Sequence, residues 1–134
     1  MIAPMGMSNG RLGNLVEKHS SKMHESQLGF WKFDYDDSLV FVITDESHNR
    51  MRIMTPVTEL KSVPNDELTI LLSANFDRAL DARYCVDSET LWSAFIHPLQ
   101  ELSDQQFLAA LLQVVTLAKN YGTSYSSSGL MFGG

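Results

Sequence analysis

Cysteine is almost missing from this sequence. Cys85 is the only one among 134 residues, which excludes an internal disulfide and fits a reducing compartment. Long apolar runs are missing too, and none approaches the length that spans a bilayer. No basic cluster followed by an apolar stretch opens the chain, so Met1–Gly10 does not read as a signal peptide. The expected compartment is the cytoplasm. Positive charge is scarce, with 10 Lys and Arg against 16 Asp and Glu and a net charge of −6. Residues 65–104 hold eight acids against Arg78 and Arg83, so that stretch carries the whole excess. An acidic surface repels phosphate backbones and anionic lipid. Nucleic-acid and membrane partners are therefore disfavoured, while a basic protein partner, or simple solubility, accounts equally for the charge.

Catalytic signatures are also lacking. There is no Gly-rich phosphate loop, no paired Cys, no HExxH and no nucleophile elbow. His19 and His24 stand five apart on a predicted helix and face different ways, so they share no metal. His97, just before Pro98, reads as a strand end. Asp34, Asp36 and Asp37 around Tyr35 lack the Gly and the closing Glu of a calcium loop, and a solvated turn explains them better. Arg83 beside Cys85 would lower a thiol pKa, but no His completes a nucleophilic pair, and a half-buried strand Cys is the better reading. No cofactor and no metal are expected.

What is present is a globular composition, 44% apolar and 19% charged, in a chain long enough to bury one core. Residues 1–10, with Pro4, Gly6 and Gly10, are expected to be a flexible arm. Leu12, Leu15, Val16, His19 and Met23 recur at helical spacing and predict a helix over Arg11–Met23. Gly13 weakens it or admits another backbone. Alternation predicts strands at Phe30–Tyr35, Leu39–Thr44 and Met51–Val57, with Trp31, Phe33 and Tyr35 on one face. Pro64 opens a second helix, with Leu68, Leu71, Leu72 and Phe76 along one side and Ile70 and Ala74 widening its apolar surface. Such a helix is packed between layers or covered by a second subunit. Ala82–Asp87 and Leu91–His97 predict a hairpin around Ser88-Glu89. Ser103 and Gln106 form a capping box for a last helix that ends at Tyr121-Gly122. Residues 11–122 are thus read as one domain. Residues 123–134 form a Ser/Gly-rich tail in which Leu130, Met131 and Phe132 could still dock.

This order, without βαβ alternation, predicts an α+β fold: α-β-β-β-α-β-β-α with a mostly antiparallel five-stranded sheet packed by helices. With the acidic charge and small size, it resembles the type III secretion chaperone-like fold, and within it the YbjN-like group of bacterial proteins. The resemblance is carried by Leu68–Tyr121. Leu71-Leu72-Ser73-Ala74-Asn75-Phe76 resembles the helix that ends in Leu-Leu-x-x-Asn plus an aromatic. Arg83–Asp87 resembles the strand that follows, and His97-Pro98-Leu99 with Leu102-Ser103 and Phe107 resembles the final bend and helix. It implies a non-enzymatic protein binder, chaperone- or adaptor-like and often a homodimer, that holds an extended client segment without nucleotide. By element, it implies a dimer interface around Ile70, Ala74 and Trp92. Client grooves would then lie around Leu12, Leu15, Trp31 and Phe33. A regulatory or small-ligand-sensing domain is the second reading and a small enzyme the third.

Overall fold

A computed structural model describes residues 6–128 of the 134. It holds helix α1 (Asn9–His19), strands β1 (Lys22–Gln27), β2 (Phe30–Tyr35), β3 (Ser38–Asp45) and β4 (Arg50–Glu59), a 3-10 turn (Leu60–Ser62), helix α2 (Asn65–Asp77), strands β5 (Arg83–Asp87) and β6 (Thr90–Pro98), and helix α3 (Asp104–Lys119). The sheet is antiparallel at every pairing, in the order β1-β2-β3-β4-β6-β5. The α+β class and antiparallel sheet agree with the sequence. The strand number does not, because the sheet has six strands rather than five.

The additional strand is β1. Its residues, Lys-Met-His-Glu-Ser-Gln, offer only Met23 to the core, so no alternating apolar signal marks it. Its Met23 had instead served to extend the first helix, which stops at His19 and is capped at both ends by serines. The bulge between Met23 and Glu25 and the polar side chains suit a sheet edge, where they discourage pairing with other chains.

Two hairpins turn on two residues with left-handed backbone, Asp36-Asp37 and Ser88-Glu89, with φ values of 50° to 64°. Positive φ at both turn positions matches the twist of the flanking strands. The capping box is formed as read: Gln106 N donates to Ser103 Oγ at 3.0 Å, and Ser103 N donates to Gln106 Oε1 at 2.9 Å. Gly13 admits the Trp31 indole rather than a backbone, since a Cβ there would stand 3.2 Å from a ring carbon.

Burial alternates along the central strands and so defines two faces. Trp31, Phe33, Val40, Val42, Met51 and Ile53 point into the core with Leu12 and Val16 of α1 and Phe107, Leu111 and Val115 of α3. Two buried hydroxyls on this side bond to α3 carbonyls, Ser93 to Val114 at 2.7 Å and Tyr84 to Leu117 at 2.9 Å. Burial also pushes the Tyr84 phenol well above its ordinary pKa.

Helix α2 lies along the free edge of β5. There the Asn75 amide acts as a surrogate strand, donating to Tyr84 O at 3.1 Å and accepting from Tyr84 N at 2.7 Å. Asn75→Ala leaves both backbone groups of a buried residue unpaired. The expected loss is about 1–3 kcal/mol, read as a lower urea midpoint with an unchanged slope.

Residues 6–10 and 123–128, expected within an arm and a tail, pack against the domain. Met7 is buried and its N–H donates to Gln100 O at 3.2 Å. Tyr125 donates to Glu67 Oε1 at 2.7 Å, a bond that, with burial, pushes its pKa up to about 12. Ser127 N donates to Arg78 O at 3.1 Å. Residues 1–5, and the tail residues Leu130, Met131 and Phe132, lie outside the described residues.

Candidate protein-binding surfaces

Three of the four residues assigned to client grooves are core. Leu12, Trp31 and Phe33 are at most 2% exposed, and Leu15 packs half-buried against them. They hold α1 onto the sheet and present no groove as placed. The residues assigned to a dimer face divide. Ala74 is fully buried, Ile70 is 42% exposed, and Trp92 is half-buried on the sheet face opposite the helices.

Helix α2 divides the apolar side chains that the sequence groups along one side. Leu68, Leu71 and Ala74 turn inward, whereas Leu72 is 71% exposed and Phe76 95% exposed. The helix is apolar nearly all round, so its pattern alone does not say which half is covered. Leu72 and Phe76 stand one turn apart on one face, and Ile70 also opens to solvent.

The outer face of the sheet forms a second surface. Cross-strand neighbours run Phe30, Ile43, Arg52, Ile96 in one row and Lys32, Phe41, Met54, Ala94, Arg83 in the next. Phe41 meets Phe30 edge-on at 6.2 Å between centroids and Trp92 at 5.8 Å. Lys32 Nζ lies 5.7 Å from the centre of the Phe41 ring. Trp92 Nε1 donates to Asp87 O at 3.3 Å. Among the described residues no helix packs on this face, and its apolar groups are screened by one another and by Lys32.

The titratable groups form no catalytic set. Burial pushes the Cys85 thiol above its usual pKa and outweighs Arg83, so the thiolate is disfavoured. His24 meets Asp34 at 2.9 Å, His48 meets Asp45 at 2.8 Å, and His97 Nδ1 donates to Pro98 O while its ring stacks on Phe95. Asp36 pairs with Lys119 at 2.9 Å. Among the described residues, no group of three or more His, Cys, Asp or Glu could hold a metal. No helix there is long and apolar enough to cross a membrane. A hollow of about 430 Å³ beside the β5–β6 turn is lined by Glu59, Leu60, Lys61, Ser88, Glu89 and Thr90, without the apolar walls of a small-molecule site.

Comparison with solved structures gives the fold its place. The ExsC–ExsE complex matches with a TM-score of 0.63 at 13% identity, covering 84% of this chain and 92% of that one. The chain has a type III secretion chaperone-like fold. The HopA1–SchA chaperone–effector complex matches this fold with a TM-score of 0.62 at 12% identity, over 82% of this chain and 88% of that one. The Yersinia pestis type III secretion chaperone SycH, solved with a stable fragment of YscM2, matches with a TM-score of 0.61 at 14% identity, over 84% and 97%. At such identities the likeness is one of fold. No protein-family model matches the sequence, and no curated protein does.

Proposed function

We propose that this chaperone-like chain is a non-enzymatic protein-binding protein, working in the cytoplasm as a homodimer that holds a segment of another protein. The observation that carries the reading is the unpartnered apolar face of α2, with Phe76 almost wholly and Leu72 mostly in water. An exposed apolar surface of this kind supports a role in binding another chain. The fold supports the same reading, since two of the similar structures are of chaperones solved with protein partners and the other is a complex of two proteins. A second copy is the occupant proposed for α2, through Leu72 and Phe76, with Ile70 and Trp92 at the margin. Affiliation to the YbjN-like group belongs to this proposal and rests on the sequence pattern over Leu68–Tyr121.

Light scattering across about 5–100 µM protein, with capture from host lysate on the same preparation, tests the reading. A dimer that retains one dominant protein without nucleotide or metal is the expected result. A monomer throughout, with nothing enriched, overturns it.

A further inference from the structure

The outer sheet face gathers cations beside the acids Glu25, Asp34, Asp45 and Asp87 that share it. Of ten Lys and Arg, Lys32, Arg50, Arg52 and Arg83 all stand on it, since each pairs across the sheet with, or alternates along, its outward residues. Arg50 and Arg52 are exposed, on either side of the buried Met51. Neither is among the ion pairs of the described residues.

The acids nearest to them are engaged elsewhere. Asp45 faces Arg50 in the register. Its carboxylate instead accepts from the Ser47 hydroxyl at 2.7 Å and meets the His48 ring at 2.8 Å, which holds its pKa down to about 2. Farther off, Asp34 on β2 meets His24, and Glu25 on β1 faces Lys32 in the register. A hollow of about 360 Å³ opens beside these arginines, with Ile43, Asp45 and His48 in its wall. Ile43 in turn neighbours Phe30 across the register and shares its face of β3 with Phe41. Arg50 and Arg52, outside the ion pairs of the described residues, therefore stand next to aliphatic and aromatic surface, on a protein whose net charge is −6.

We propose that the β2–β3–β4 part of the outer face binds an acidic polypeptide segment bearing apolar side chains. Its apolar groups would cover Phe30, Phe41 and Ile43, and its carboxylates would meet Arg50 and Arg52. This names the partner's chemistry and rests on the protein-binding reading above, at a surface separate from the α2 stripe. Charge complementarity at short range decides the choice, because the chain's overall negative charge is screened beyond about 8 Å at physiological salt. A single-stranded nucleic acid fits less well. The rings meet edge to face, and Lys32 lies against Phe41, so no row of open ring faces is left for bases to stack on.

The probes are two labelled peptides of about twelve residues with the same Leu and Ile content, one with Asp and Glu between them and one with Lys, and an oligothymidylate of similar length. Binding is read by anisotropy for the wild type, for R50E/R52E and for R50Q/R52Q at about 50 and 500 mM NaCl. The acidic peptide is expected to bind the wild type, about tenfold or more weaker to R50E/R52E and at high salt. The lysine peptide is expected to prefer R50E/R52E. Both substituted residues are exposed, so the variants should keep the wild-type circular dichroism, and the milder pair carries the test if R50E/R52E does not fold.

Equal binding of the acidic peptide to folded variant and wild type overturns the inference. So does equal or tighter binding of the lysine peptide or the oligothymidylate by the wild type, or failure of every probe to bind. A change of oligomeric state in the variants overturns it as well, by making the face a contact between copies. A chain that dimerises and captures a protein but shows no charge preference loses this inference alone. A chain that stays monomeric and captures nothing loses the reading beneath it.

Discussion

A Leu72→Asp/Phe76→Asp double variant is expected to be a folded monomer. Each side chain is more than two-thirds exposed in the single chain, so neither change opens a cavity or breaks a hydrogen bond there. Surface substitutions of that kind stay within about 0.5 kcal/mol of the starting stability. In the dimer proposed here, the same two side chains are covered. Burying a Phe and a Leu contributes about 1.5–3 kcal/mol each, and two-fold symmetry counts every contact twice. Introduced carboxylates would add desolvation and repulsion beside Asp66 and Asp77, so a rise of at least about 10³-fold in the dimer dissociation constant is expected. Sedimentation equilibrium on the wild type and the variant measures it. Unchanged association would move the dimer face away from α2, and a variant that unfolds would mean that the stripe is covered within one chain.

Phe33→Ala should act in the opposite way, on folding and not on association. Phe33 is completely buried, next to Val40 in the register and in one core with Leu12 and Val16. Removing the ring forfeits its transfer free energy and leaves a cavity, a loss of about 3–5 kcal/mol. For a domain of this size, total stability is of order 5–15 kcal/mol, so the urea midpoint should fall by about a fifth or more. The same measurement judges the sequence-based assignment of Phe33 to a client groove. A loss of partner binding with unchanged stability would restore that role, whereas a large loss of stability assigns the residue to the core.

The contrast between these two positions shows where sequence reasoning reached and where it stopped. The alternation in β2 correctly put Trp31, Phe33 and Tyr35 on one face. It could not say whether that face met α1 and α3 or a client, because period two reports a shared side and not its occupant. Leu68, Leu71, Leu72 and Phe76 were grouped for the same reason. On a helix apolar around most of its circumference, burial follows the neighbour that happens to be there. Here that neighbour is the edge of β5, fixed by the Asn75 amide, whose pairing with Tyr84 spans nine positions of sequence. The cation-bearing outer face escaped notice altogether. Its cations come from β2, β4 and β5 and become neighbours only through the register of the sheet.

Local chemistry was legible wherever the interaction lies within a few residues. The Ser103–Gln106 capping box and the Asp36-Asp37 and Ser88-Glu89 turns are all such features. So is the antiparallel α+β order, because short polar connections between alternating segments leave few other topologies. The sequence by itself determined these elements and the lack of a catalytic constellation in its motifs. Only the tertiary structure decided that Lys22–Gln27 is a strand, which of two apolar faces is core, and which unpaired arginines share one surface. Those properties depend on contacts between residues far apart in the chain, and they arise only once the sheet has been assembled and the helices have covered one side of it.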